Sequence, residues 1–310
     1  MLTYDTNTPV LLLIFNRPDT AAVVFERIRM ARPKRLYIAA DGPRNDQEAV
    51  RCEETRKLVE QVDWDCQVKT LFRMENLGCK RAMSSGITWF FEQEAEGIVL
   101  EDDCVPDPSF FGFCSHMLAH YRTDDRIGHI GGSNLQLGQK RGPYSYYFSR
   151  MTHAWGWAGW RRVWESYDVD MKTFPDFQRL DVLKNIPSHA PFSASWYAVF
   201  QENYAGKVDS WAYPYTYHNL VNNRLSVIPN QNLIRNIGFR ADSTHTADSG
   251  HVYANLDTTP LHSIEHPPII VADVEADIFT QVQEGHPRNA KPKGFLSRSW
   301  KKIKQGLKGA

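Results

Sequence analysis

Paired cysteines are missing from this sequence. The five that occur (Cys52, Cys66, Cys79, Cys104, Cys114) are odd in number, scattered and without any Cys-x-x-Cys spacing. That argues for reduced thiols in a cytosolic protein, not a disulfide frame or a zinc site. Long hydrophobic runs are missing as well. The longest near the start, Val10 to Phe15, is too short for a signal-peptide core or a membrane span. No Gly-x-Gly-x-x-Gly follows that run, where Asn16-Arg17-Pro18 stands, and this argues against a dinucleotide-dependent dehydrogenase. A Gly-Lys-Ser/Thr phosphate loop and a Gly-x-Ser-x-Gly nucleophile elbow are likewise absent. Repeats and low-complexity tracts are not found. The net charge of zero conceals an asymmetry: residues 291 to 310 carry seven basic and no acidic side chains, leaving 29 basic against 36 acidic elsewhere. An acidic body of about −7 argues against non-specific nucleic-acid binding by the main domain.

What is present is an alternation of apolar strands and amphipathic helices over 310 residues, enough for a large core. Val10 to Phe15, Leu36 to Ala40, Gln67 to Phe72 and Ile98 to Leu100 read as strands. Between them lie a helix started by Asp19 or Thr20, a second over Glu48 to Val62 and a third over Lys80 to Glu94. Short connections predict a parallel sheet covered on both faces, with right-handed crossovers bringing all four strand exits to one edge. That edge would gather Asn16, Arg17, Asp41, Asn76 and Glu101 to Asp103. Farther on, Phe110 to Tyr121, Ser193 to Tyr204 and Val271 to Val282 read as helices. Ile127 to Ile130, Leu225 to Ile228 and Leu233 to Ile237 read as strands.

The chemistry concentrates at Glu101-Asp102-Asp103, directly after the fourth strand. Three adjacent carboxylates repel one another unless a positive group offsets them. A hard divalent cation, Mg²⁺ or Mn²⁺, resolves this while keeping positions open for phosphate oxygens. In extended backbone Glu101 and Asp103 would share one side, with Asp102 on the other. A solvated acidic loop is the competing reading. Nine Trp and 13 Tyr suggest surfaces that stack on sugars or bases, or simply core. The same two readings hold for Trp155-Gly156-Trp157, where large indoles alternate with glycine.

Several short motifs occur in a telling order: Leu13-Ile14-Phe15-Asn16-Arg17-Pro18, Ala39-Ala40-Asp41-Gly42-Pro43, Asn76-Leu77-Gly78-Cys79-Lys80-Arg81, Leu100-Glu101-Asp102-Asp103, Trp155-Gly156-Trp157, Pro229 to Phe239 and Ser243-Thr244-His245-Thr246. With them the chain resembles glycosyltransferases of the GT-A fold over about residues 9 to 250. More closely it is similar to bacterial nucleotide-diphospho-sugar transferases related to N-acetylglucosaminyltransferase I. The resemblance implies an α/β fold with a mainly parallel Rossmann-like sheet flanked by helices and a second, smaller acceptor-side region. The domain would span 1–288, divided at 104/105 into a nucleotide-binding half (9–104) and an acceptor and donor-sugar half (105–288). A basic amphipathic tail would follow over 289–310. Asp103 would be the principal ligand of Mn²⁺ or Mg²⁺ in a DxD-type motif, with Glu101 and Asp102 on the ribose and nucleotide. Arg17, beside Asn16, would meet the nucleotide or its phosphates, and Asp41 would accept from the base, uracil in a UDP-sugar. Asn76 and Arg81 would lie along the nucleotide-sugar. Trp155, Gly156 and Trp157 would close over donor sugar and acceptor, and His245 would contact metal or diphosphate. Transfer would proceed with inversion.

At one position the chain departs from the family. Where a Trp-Asp pair supplies the base, this sequence reads Trp211-Ala212, and an alanine cannot take a proton. Asp209, three residues earlier, is the nearest substitute. The tail places Leu296, Trp300, Ile303 and Leu307 on one helical face among lysines. This suits peripheral attachment to anionic lipid on the cytoplasmic face of the inner membrane and a lipid-linked saccharide acceptor; a solvated tail is the alternative. The expected function is transfer of a sugar to a bacterial surface polysaccharide or lipopolysaccharide. A nucleotidyltransferase and a non-catalytic sugar-nucleotide or glycan-binding protein are the alternatives.

Overall fold

The computed structural model describes residues 2–186, 190–239 and 251–284. The polypeptide begins as a regular alternation: β1 (Val10–Ile14), α1 (Pro18–Ala31), β2 (Arg35–Ala40), α2 (Asp46–Arg56), β3 (Gln67–Phe72), α3 (Gly78–Gln93) and β4 (Glu96–Glu101). There follow β5 (Cys104–Pro106), α4 (Pro108–His120), β6 (Ile127–Gly131), β7 (Tyr146–Ser149), β8 (Trp157–Trp160), α5 (Arg161–Trp164) and α6 (Phe174–Arg179). The remainder is α7 (Ala190–Tyr204), α8 (Ala212–Val221), β9 (Leu225–Pro229), β10 (Ile234–Asn236) and α9 (Val274–Glu284).

The result is a Rossmann-like α/β fold on an eight-stranded sheet of order β3-β2-β1-β4-β8-β6-β9-β7, with β5 and β10 paired separately. β1 to β4 run parallel, and β6 and β9 share their direction, while β8 and β7 oppose them. The first strands are continuously apolar because both faces are covered. Leu12, Ile14, Ile38 and Leu100 pack into one core, and Leu11, Leu13, Tyr37 and Val99 into the other.

The helix starts differ from expectation for identifiable reasons. Pro18 occupies the first turn of α1 behind Arg17, so neither Asp19 nor Thr20 is the start. Asp273 Oδ1 accepts from the Ala276 amide at 2.9 Å, and α9 accordingly begins at Val274 and not at Val271. The Gly-Trp segment was expected as a loop; its second half is instead strand β8, hydrogen-bonded between β4 and β6. Among the described residues no helix is long and apolar enough to cross a membrane. The basic tail and His245 lie outside the described residues.

Candidate functional site

β1 hydrogen-bonds β2 on one side and β4 on the other. The connections out of β1 and into β4 therefore diverge, opening a crevice at the carboxyl ends of these two strands. A cavity of about 770 Å³ occupies it. The exits of all four leading strands reach this cavity, contributing Asn16 and Arg17, Asp41, Asn76 and Glu101 to Asp103.

Arg17 is the electrostatic centre. Its guanidinium is bonded to Asp102 and lies 3.0 Å from Asp103 Oδ2. Burial works against the Arg17 charge, but the two carboxylates more than offset it and raise its pKa. The Phe15 amide also donates to Asp102, at 3.4 Å. The alternation expected for the trio is thus modified: one guanidinium bridges Asp102 and Asp103. Glu101 is held by the Trp211 indole, and Arg17 acts on it only through space. Burial, then Asp103 and Asp102, raise the Glu101 pKa far above the usual carboxylate range. Asp103 is further confined by Gly238, where an added Cβ would stand 2.1 Å from its Oδ2. Only glycine lets that backbone approach the carboxylate so closely.

The other expected site residues divide into those brought to the cavity and those carried away. Asp41 lines it, yet its oxygens accept from the Leu77 amide at 3.0 and 3.1 Å and from Asn76 Nδ2 at 3.0 Å. It organises the β3 exit turn. Asn16 lines the cavity while donating to Glu48 at 3.1 Å. Arg81 faces elsewhere, in an exposed 2.7 Å ion pair with Asp170. Trp155 lines the cavity, but Trp157 is 1% exposed within the core and stacks at 5.9 Å on Trp211. Gly156 packs against Ile234. The expectation of a single aromatic loop over the donor therefore narrows to Trp155: β8 begins only at Trp157, and Gly156, at a φ of 59°, turns the backbone between the two indoles.

Asp209, the expected substitute base, also reaches the cavity. Its Oδ2 accepts from the Cys79 amide at 2.8 Å and its Oδ1 from the Lys80 amide at 2.7 Å. Both oxygens thus satisfy orphan donors at the start of α3. Ala212 opens α8 and lines the same wall.

Sequence reasoning missed several wall residues. Phe239 and Tyr253 meet Trp155 edge-on at 5.5 and 6.3 Å, and His251 stacks on Phe239. Trp196 and Tyr213 form a second aromatic group at 6.1 Å. His153 lines the cavity too; burial pushes its pKa down to about 4, and its Nε2 lacks a partner among the described residues. Aromatic richness was the available signal, but nothing local distinguishes a wall indole from a core one. The cleft thus joins an acidic floor to flat apolar walls, with five carboxylates (Asp41, Glu101, Asp102, Asp103, Asp209) against three guanidiniums (Arg17, Arg44, Arg73).

Glu101, Asp102 and Asp103 offer hard oxygen donors, and their charge exceeds what Arg17 neutralises. This donor set fits a divalent cation such as Mg²⁺ or Mn²⁺.

No family model matches the chain, and no curated protein matches it. Among solved structures it is similar to HddC from Yersinia pseudotuberculosis, at 11% identity over 52% of this chain and 80% of that one, with a TM-score of 0.33. It is also similar to an active-site mutant of LgtC, at 10% identity over 55% of this chain and 65% of that one, with a TM-score of 0.34. A third is apo UDP-glucose pyrophosphorylase, at 8% identity over 71% of this chain and 90% of that one, with a TM-score of 0.33.

Proposed function

We propose that the chain is a metal-dependent, inverting glycosyltransferase of GT-A type that moves a sugar from a nucleotide-diphosphate donor, a UDP-sugar, to a saccharide. The observation that carries this reading is the acidic trio at the β1/β4 crevice, short of positive charge and roofed by aromatic walls. With five carboxylates against three guanidiniums the cleft carries an excess of acidic groups, so binding of a nucleoside diphosphate is expected to depend on a cation. Asp103 with Glu101 would hold the cation, which when bound supplies Lewis-acid neutralisation of the departing diphosphate.

The remaining work belongs to the chain itself. Arg17 ties Asp102 and Asp103 together at the crevice. Trp155, with Tyr253 and Phe239, offers a flat face that shields a sugar ring from water. The neutral His153 ring provides a hydrogen bond to a hydroxyl or phosphate oxygen. A lipid-linked acceptor would suit the basic tail, and the product would extend a bacterial surface glycan. A second reading, a protein that binds sugar nucleotides without turnover, draws support from Ala212 and from the engagement of both Asp209 oxygens.

Calorimetric titration of UDP with and without Mn²⁺, paired with UDP release from a panel of UDP-sugars plus acceptors, tests the proposal. The expected result is UDP binding only with the cation. In Asp103→Asn affinity should weaken at least about tenfold and transfer should fall about 10²-fold or more, with the melting temperature retained. Cation-independent UDP binding overturns the assignment. Binding without UDP release selects the second reading, and pyrophosphate release from UTP with a sugar phosphate would mark a nucleotidyltransferase.

A further inference from the structure

Away from the cleft, three histidines converge where helix α4 ends. His116 and His120 lie one turn apart on α4, and His266 approaches from the segment between β10 and α9. One ring nitrogen from each lies within 4.8 Å of the others. The closest pair, His116 Nε2 and His266 Nε2, is 3.0 Å apart. None of the three lines the large cavity.

The surroundings hold His266 in a defined orientation. The Tyr146 hydroxyl is 2.7 Å from His266 Nδ1, and the Tyr121 hydroxyl is 2.6 Å from that of Tyr146, both tyrosines being buried. The backbone beside His266 is fixed as well. The Ser145 amide donates to Glu265 O at 3.1 Å, and the Glu265 amide donates to Ser145 Oγ at 2.8 Å. With Nδ1–H donating to the tyrosine oxygen, the His266 Nε2 lone pair faces the other two imidazoles. This is the outer-shell arrangement that sets the tautomer of metal-binding histidines.

We propose that His116, His120 and His266 form a site for a transition-metal cation of the zinc class, separate from the acidic cleft. Three imidazole nitrogens suit Zn²⁺, with a fourth position for water. Zn–N bonds of about 2.0–2.1 Å at tetrahedral angles set the nitrogens about 3.4 Å apart, inside the span from 3.0 to 4.8 Å seen here. The rings now lie nearly parallel, with interplanar angles of 16°, 25° and 17°. Convergence on one ion requires rotation of the exposed His116 and His120 side chains, while His266 stays tethered. A bound ion would clasp α4 to the segment that also carries His251 and Tyr253 of the cleft wall.

Zn²⁺ titration of the metal-stripped, untagged full chain, by competition with a chromophoric chelator and by thermal melting, tests this site. The expected result is one Zn²⁺ per chain at the trio and a melting temperature that rises with Zn²⁺. His266→Gln and His120→Gln should each weaken Zn²⁺ binding at least tenfold, and Tyr146→Phe about tenfold, whereas Asp103→Asn leaves it unchanged. His120 is exposed, so its variant keeps the test valid if His266→Gln disturbs folding. Equal Zn²⁺ affinity in wild type and both histidine variants overturns the proposal, as does loss of binding in Asp103→Asn alone. Neither outcome bears on UDP binding with Mn²⁺, so this site and the proposed activity fail separately.

Discussion

Asp209 holds the first turn of α3 with both carboxylate oxygens, across a sequence separation of about 130 residues. Its replacement by alanine should therefore cost about 1–2 kcal/mol in urea unfolding, the scale of a lost helix cap. Asp209→Asn keeps one acceptor and cannot take a proton, and it should retain transfer within about tenfold. A base, by contrast, contributes about 10²–10⁴, so a loss of that size with unchanged stability would restore Asp209 to the chemistry. Ala212→Asp is the complementary variant, and a large rise in transfer would identify position 212 as the proper seat of the base. At this scale the acidic trio was legible because its three members are adjacent and their repulsion is local. Arg17 was legible as a crevice residue but not as the bridge between two carboxylates, which depends on how β1 and β4 align. His153 gave no signal at all: an isolated histidine becomes informative only when burial and a vacant hydrogen-bond position are known.

Trp155 and Trp157 are two residues apart and belong to different environments. The first forms part of the cleft wall; the second is a core residue of β8, packed among Trp164, Trp211 and Tyr215. Trp157→Ala should cost about 3–5 kcal/mol, read as a fall in unfolding midpoint. Trp155→Ala should leave stability within about 1.5 kcal/mol and raise the KM for the sugar nucleotide, the kinetic trace of lost binding. Equal destabilisation by both would remove Trp155 from the wall. Strands β1 to β4 were readable because burial on both faces produces short continuous apolar runs. Strand β8 was not, since Trp-Ala-Gly-Trp lacks the β-branched residues and regular alternation that mark a strand. Its pairing comes from β4 and β6, distant in sequence.

Across the whole molecule, three buried histidines make the fold sensitive to acid. Burial lowers His129 to about 3 and His153 and His218 to about 4, against about 6.5 in an unfolded chain. The unfolded state therefore binds more protons below pH 6.5, and each ring's contribution, complete above that pH, declines toward pH 4 by about 1.4 kcal/mol per unit. Asp277, raised to about 6 by burial, acts in the opposite sense between about pH 4 and 6. His129→Phe keeps an aromatic ring between Trp157 and Tyr215 and cannot be protonated. Urea unfolding between pH 6 and 4 should lose about 1.4 kcal/mol of slope per pH unit in this variant; an unaltered slope would mean that His129 is already charged in the folded state. The sheet that encloses these groups is completed out of sequence order. β4 ends at residue 101, but its second neighbour, β8, begins at Trp157. During synthesis at roughly 5–20 residues per second, β4 waits several seconds with one hydrogen-bonding edge exposed. Glu96 and Glu101 at its two ends place charge on that waiting edge, a deterrent to pairing with another nascent chain. Glu101, one of the carboxylates assigned to the donor site, thus places a charge beside that unpaired edge before any site exists.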